Sequence, residues 1–267
     1  MMIESITPKI ESICEYAVDA GQIIMSRYRQ QNFTVTEKHD KSPVTSADIE
    51  AHHFLENKLE ECFPVPVISE ESYIESGSAP PQESSYWLID PIDGTKEFIN
   101  RSGDFTVNIA LIVNRRPALG VVYAPLTEEL YFAKAGHRAF KITNSGKTVS
   151  ISTRTMSPTH FVCLVSHSHF SERLRTQIKS RWPDCELRRI ASSLKFCKVA
   201  EGLADLYIRR GPTYEWDTGA AHCILEAAGG RMVNFDGESI SYNKPGMKND
   251  PFITYGDRSV NIHEFLF

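Results

Sequence analysis

The chain lacks the roughly 18 consecutive apolar residues that a membrane-spanning helix requires. Its start, Met1-Met2-Ile3-Glu4-Ser5, lacks the basic-then-apolar order of a secretory leader, so neither classical secretion nor membrane spanning is expected. Positive charge is also short: 29 Lys and Arg stand against 34 Asp and Glu, a formal net charge of -5. Proteins that coat nucleic acid are generally basic, so no nucleic-acid partner is expected. The six cysteines, at 14, 62, 163, 185, 197 and 223, form no Cys-x-x-Cys pair. They are expected to be reduced, mostly buried thiols of a cytoplasmic protein. No internal repeat is present, and only Glu75 to Ser85 is rich in Ser, Pro and Gly.

What is present is a regular sequence of helix and strand patterns over 267 residues, enough for one large or two modest domains. Ile6, Ile10, Ile13, Ala17, Ala20, Ile24 and Tyr28 recur at steps of three and four, which predicts a long amphipathic helix. A second helix is predicted from Ser46 or Asp48 through Leu59, ended by Pro64. On it, the adjacent His52-His53 pair carries no expectation of joint chelation, because neighbours one apart diverge around a helix. From Thr106 to Ile142 successive short β runs with short connections predict an antiparallel sheet. Beyond about Ser150, strands and helices alternate: Phe161 to Val165, Glu172 to Arg181, Glu186 to Ile190, Leu194 to Ala200, Asp205 to Ile208, a helix from Asp217, and Met232 to Val233. That alternation marks an α/β unit. The expected division is an N-terminal α+β lobe over 1–150 and a C-terminal α/β lobe over 151–267.

Four acids, Glu70, Asp90, Asp93 and Asp217, sit at the ends of separate apolar runs. Asp90-Pro91-Ile92-Asp93-Gly94-Thr95 follows the β-prone Tyr86-Trp87-Leu88-Ile89, and Pro91 is expected to stop that strand at Asp90 because it lacks a ladder donor. The Asp93-Gly94 pair turns the chain. If Thr95-Lys96-Glu97-Phe98 opens a helix, its free N–H groups could hold a phosphate. Alone, such a turn is more often a solvated loop than a metal site. Val65 to Ser72 likewise places Glu70 and Glu71 directly after an apolar run, and Asp217 lies near a helix N-terminus, where an aspartate is often only a cap. Three such segments together favour Mg2+ and phosphate, since Mg2+ takes hard oxygen donors and few protein ligands.

With these residues the chain resembles the inositol monophosphatase superfamily of Mg2+-dependent, lithium-sensitive phosphatases, which has a Glu-Glu, an Asp-Pro-Ile/Leu-Asp-Gly-Thr and a Trp-Asp segment in this order. The continuation Lys96-Glu97-Phe98-Ile99 is similar to the 3'(2'),5'-bisphosphate nucleotidases of the bacterial CysQ type rather than to inositol monophosphatases. Ser42 to Asp48, Phe105 to Ala110, Gly120 to Pro125 and Ser192 to Cys197 resemble the same group, so the likeness runs from about Lys38 to Gly256.

The resemblance implies an α+β / α/β layered αβαβα sandwich with the metal site between its lobes. It implies that Glu70, Asp90 and the carbonyl of Ile92 hold one Mg2+, that Asp90, Asp93 and Asp217 hold a second, and that Asp90 bridges them. Thr95 and Glu70 would orient or deprotonate the attacking water, with Asp48 supporting Thr95 or ligating a third Mg2+. The phosphate would rest on the N–H groups of Gly94 and Thr95. His169, Ser192, Lys195 and Arg209 would meet the non-reacting phosphate of the nucleotide. The implied reaction removes the 3'-phosphate of adenosine 3',5'-bisphosphate in sulfur metabolism. Alternatives are an inositol or fructose phosphatase of the same superfamily and a non-catalytic nucleotide-binding regulator. Peripheral attachment to the inner face of the bacterial inner membrane is known among such relatives, although neither a lipid anchor nor a basic amphipathic helix is apparent here.

Overall fold

The computed structural model describes residues 8–38, 42–76, 80–157, 160–167 and 170–260. Helix α1 (Ile10–Gln30) buries Ile13, Ala17, Ala20, Ile24 and Tyr28 of the predicted stripe, with Ile10 half-buried and Ile6 outside the described residues, and ends where Gln31 takes a left-handed conformation. A short hairpin, β1 (Val35–Glu37) with β2 (Pro43–Thr45), leads into α2 (Ser46–Cys62). Thr45 and Asp48 close a capping box on α2: Thr45 N donates to Asp48 Oδ2 at 2.8 Å, and Asp48 N donates to Thr45 Oγ1 at 3.4 Å.

Strand β3 (Val67–Ser69) then delivers Glu70 as the first residue of a short helix, α3 (Glu70–Ser76), where the sequence pattern suggested only the end of a strand. Next come β4 (Ser85–Asp93) and α4 (Thr95–Asn100), followed by an antiparallel run of β5 (Thr106–Val113), β6 (Arg116–Ala124), β7 (Glu129–Lys134), β8 (Ala139–Ile142) and β9 (Thr148–Ile151). These form one seven-stranded sheet in the order β3-β4-β5-β6-β7-β8-β9. Strand β4 does not stop at Asp90 as expected. It continues through Pro91 to Asp93, because β3 pairs with it only as far as Ile89 and its register with β5 jumps from Asp90 to Asp93. An irregularity of this kind leaves no ladder bond for Pro91 to break.

The rest of the chain gives β10 (Val162–Ser166), α5 (Glu172–Arg181), β11 (Glu186–Ile190), α6 (Leu194–Ala200), β12 (Leu206–Arg209), a 3-10 turn at Glu215–Asp217, α7 (Gly219–Ala227), β13 (Arg231–Asn234) and β14 (Phe252–Tyr255). They make a five-stranded sheet ordered β11-β10-β12-β14-β13, parallel among its first three strands and antiparallel where β14 inserts.

Three apolar clusters define the layers. One packs α1 and α2 on the seven-stranded sheet, a second packs α6 and α7 between the two sheets, and a third packs α5 on the outer face of the five-stranded sheet. The result is the expected αβαβα sandwich. Its central layer is tight: a Cβ placed on Gly120 of β6 would meet the carbonyl oxygen of Ala220 on α7 at 2.2 Å. Gly120→Ala is therefore expected to cost about 1–3 kcal/mol by overpacking; chemical denaturation measures it, and an unchanged midpoint would mean that α7 can move away. Among the described residues no helix is long and apolar enough to cross a membrane.

Candidate metal and phosphate site

A cleft of about 220 Å³ opens where β4 meets the 3-10 turn before α7 and the start of α6. Glu70, Asp90, Asp93, Thr95, Ser192, Lys195, Arg209 and Asp217 line it. One carboxylate oxygen from each of Glu70, Asp90 and Asp217 lies within 4.8 Å of the other two. Residues from β4, the head of α3 and the turn before α7 thus meet at one point.

Asp90 is the centre of this group. It is 1% exposed, and neither of its carboxylate oxygens accepts a hydrogen bond from a described residue. A buried carboxylate without partners is costly, and each neighbouring negative charge adds to the cost. Burial first, then the charges of Glu70, Asp93 and Asp217, hold the Asp90 carboxyl well above the usual range. Asp217 is raised for the same reasons, burial ahead of Asp93 and Glu70, although its Oδ2 accepts from Tyr214 N at 2.9 Å. Such a group must take up protons or a cation. The three converging donors are all oxygens, the set a hard divalent ion prefers, and Mg2+ fits them.

Asp93 is held differently. Its Oδ2 accepts from the backbone N of Ser193 at 2.6 Å and from Asn108 Nδ2 at 3.4 Å. Asn108 Oδ1 in turn accepts from Ser193 Oγ at 2.7 Å and from Thr106 Oγ1 at 3.1 Å. Burial raises the Asp93 carboxyl to about 6, with Lys195 and these donors opposing the rise. Ile92 is buried, and its carbonyl accepts from Thr95 Oγ1 at 3.1 Å; Asp48 Oδ1 is also within reach of that hydroxyl at 3.3 Å. Burial lifts Asp48 to about 6. Gly94, the N-cap of α4, has φ 102 and so occupies the left-handed region that glycine tolerates.

On the opposite wall, Lys195 is 5% exposed and donates to the carbonyls of Ile190 and Ser192. Burial depresses its ammonium to about 8. Arg209 donates to the carbonyls of Gly211 and Pro212 at 3.3 and 2.9 Å, which leaves further guanidinium donors. Ser192 sits at φ 51, and its buried hydroxyl has no partner among the described residues. Backbone strain of this kind concentrates at functional sites. His169 lies outside the described residues.

Several participants carried no individual expectation. Lys38 reaches Glu70 at 2.6 Å and Glu71 at 2.8 Å. Burial works against its ammonium, but the two carboxylates outweigh burial and hold it above the usual lysine range. Glu71 is raised to about 8, by burial and then by Glu70. Asn108, Thr106 and Ser193 lay within segments that carry the resemblance, yet only folding shows that they support Asp93.

Half-buried carboxylates converging on a buried, orphaned aspartate, on this layered fold, define a class, and comparison with known sequences agrees: the chain belongs to the inositol monophosphatase family, whose sequence profile matches residues 7–259. It is therefore a hydrolase of the phosphoric monoester type. Among its relatives are the 3'(2'),5'-bisphosphate nucleotidases CysQ of Salmonella typhimurium and Escherichia coli K12, each 42% identical over 241 residues that cover 87% of this chain and 93% of theirs. The crystal structure of CysQ from Bacteroides thetaiotaomicron superposes with a TM-score of 0.79 at 36% identity, covering 93% of this chain and 97% of that one. The Thermotoga maritima IMPase, at 23% identity and a TM-score of 0.77 over 96% of this chain and 94% of that one, shares the fold.

Proposed function

We propose that this chain is a Mg2+-dependent 3'(2'),5'-bisphosphate nucleotidase that removes the 3'-phosphate of adenosine 3',5'-bisphosphate to give AMP and phosphate. The observation that carries the reading is Asp90, whose two buried oxygens lack partners amid Glu70, Asp93 and Asp217, while Lys195 and Arg209 wait on the other wall of the same cleft. The substrate class rests on the relatives that bear that name.

Glu70, Asp90 and the Ile92 carbonyl would hold one ion, and Asp90, Asp93 and Asp217 a second. When bound, Mg2+ supplies the positive charge that neutralises the phosphate and lowers the pKa of water. The chain's own residues do the rest. Ser193 N and Asn108 fix the Asp93 carboxylate. Thr95 Oγ1 would accept a hydrogen bond from the attacking water while donating to Asp48 Oδ1, and Asp48, raised to about 6, would take the released proton. The transferred phosphate would rest on Gly94 and Thr95 N–H groups. Ser192, Lys195 and Arg209, with His169, would clasp the 5'-phosphate, whose dianionic charge suits lysine and arginine. The sulfated analogue of the nucleotide fits the same description, which would place the enzyme in the turnover of nucleotides produced by sulfate activation.

Phosphate release from adenosine 3',5'-bisphosphate, its sulfated analogue, inositol 1-phosphate and fructose 1,6-bisphosphate, with Mg2+ and with chelator, tests this. The bisphosphate should give the highest kcat/KM, and chelator should abolish turnover. Preference for inositol 1-phosphate would overturn the substrate, and release in chelator would overturn the metal.

A further inference from the structure

Apart from the carboxylate cleft, one other cluster of convergent ligand atoms occurs among the described residues: His52, His53 and Glu56 on α2. Adjacent helical residues normally diverge by about 100°, which is why the histidine pair carried no expectation of chelation. In the folded chain the two rings instead lie 4.9 Å apart, centroid to centroid, inclined at 43°. One turn further on, Glu56 Oε2 is 3.7 Å from His52 Nε2, and one ligand atom from each of the three residues lies within 4.8 Å of the other two.

We propose that His52, His53 and Glu56 form a second metal site, taking a borderline divalent transition ion such as Zn2+, Ni2+ or Cu2+ rather than Mg2+. Two imidazole nitrogens and one carboxylate oxygen suit those ions, whereas Mg2+ demands oxygen. In a tetrahedral site with bonds of about 2.0–2.1 Å, ligand atoms stand about 3.4 Å apart, so separations of up to 4.8 Å must close by up to about 1.4 Å. Its composition permits that. The His52 side chain is held in the fold at 7% exposure, while Glu56 is 34% exposed and His53 lies at the surface, so the two outer ligands can adjust around a fixed inner one. The solvent side leaves a fourth position for water. The site lies on the helix that carries Asp48, one turn before His52, yet shares no ligand with the cleft. It rests on the geometry of α2 alone and does not depend on the proposed nucleotidase activity.

The test uses the full chain, saturated with Mg2+ to occupy the carboxylate cleft, titrated with Cu2+ and followed by electron paramagnetic resonance. The expected result is one Cu2+ with superhyperfine coupling to two imidazole nitrogens. His53→Gln should remove one nitrogen from the pattern, and both His53→Gln and Glu56→Gln should weaken Cu2+ binding by about 10-fold or more. Asp90→Asn should leave the signal intact. Both outer ligands lie at or near the surface, so circular dichroism of these variants should match wild type. A two-nitrogen spectrum unchanged in His53→Gln, a spectrum without two nitrogens in the wild type, or loss of the signal in Asp90→Asn would each overturn the proposal.

Discussion

Asp90→Asn should reduce Mg2+-dependent turnover by more than about 100-fold, the upper range for losing even an outer partner of a metal ligand, while leaving a folded protein. Asp90 is the carboxylate around which Glu70, Asp93 and Asp217 gather, and an amide oxygen in its place contributes no charge to a bridging position. The apo protein supplies the control. A buried, unpaired carboxylate opposes folding, so its neutral replacement should leave the metal-free variant at least as stable as metal-free wild type. Thermal melts with and without Mg2+ separate the two effects. Wild type should gain stability with added Mg2+ by mass action, and the variant should gain little. A folded Asp90→Asn protein with near-normal turnover would remove Asp90 from the proposed metal set.

Lys195→Met should raise KM for adenosine 3',5'-bisphosphate by roughly 10- to 100-fold with kcat nearly unchanged, since a charge-assisted contact to a non-reacting group contributes about 1.5–3 kcal/mol and each 1.4 kcal/mol is tenfold. Turnover of a 3'-monophosphate, which has no second phosphate to hold, should be unaffected. The pH profile adds a separate signature. Burial lowers the Lys195 ammonium to about 8, so the unliganded enzyme carries the cation below that pH and loses it above. Mg2+ on Asp93 and Asp217 would cancel the support those carboxylates give the ammonium, so wild-type KM for the bisphosphate should climb with rising pH from an onset at or below about 8, and the climb should be absent in Lys195→Met. Equal KM in the two proteins would reduce Lys195 to a brace for the carbonyls of Ile190 and Ser192 that it already contacts.

Much of the secondary structure was legible because it depends on neighbours within a turn or two. The patterns over Glu172–Arg181, Glu186–Ile190 and Leu194–Ala200 become α5, β11 and α6 with those same bounds. Where periodicity failed, the determinant lay elsewhere in the chain. Pro91 is tolerated inside β4 because neither β3 nor β5 asks it for a hydrogen bond, a matter of register between strands. Strand β14 was not anticipated, since it takes its place between β12 and β13 only once both are present. His52 and His53, divergent by helical arithmetic, approach through side-chain torsions that spacing does not specify.

The sequence by itself determined the chemical types and their order: acids after apolar runs, a threonine beside Asp93-Gly94, a lysine following Ser192-Ser193, and the Thr45-Asp48 cap that starts α2. Tertiary structure alone decided which of them meet. Ser193 N reaches Asp93 across 100 residues of chain, and Lys38 reaches Glu70 across 32. No local propensity encodes such contacts, because they follow from two sheets burying their faces against shared helices. That packing also buries Asp90 without a hydrogen-bond partner among the described residues, which makes the end of β4 a place suited to a cation.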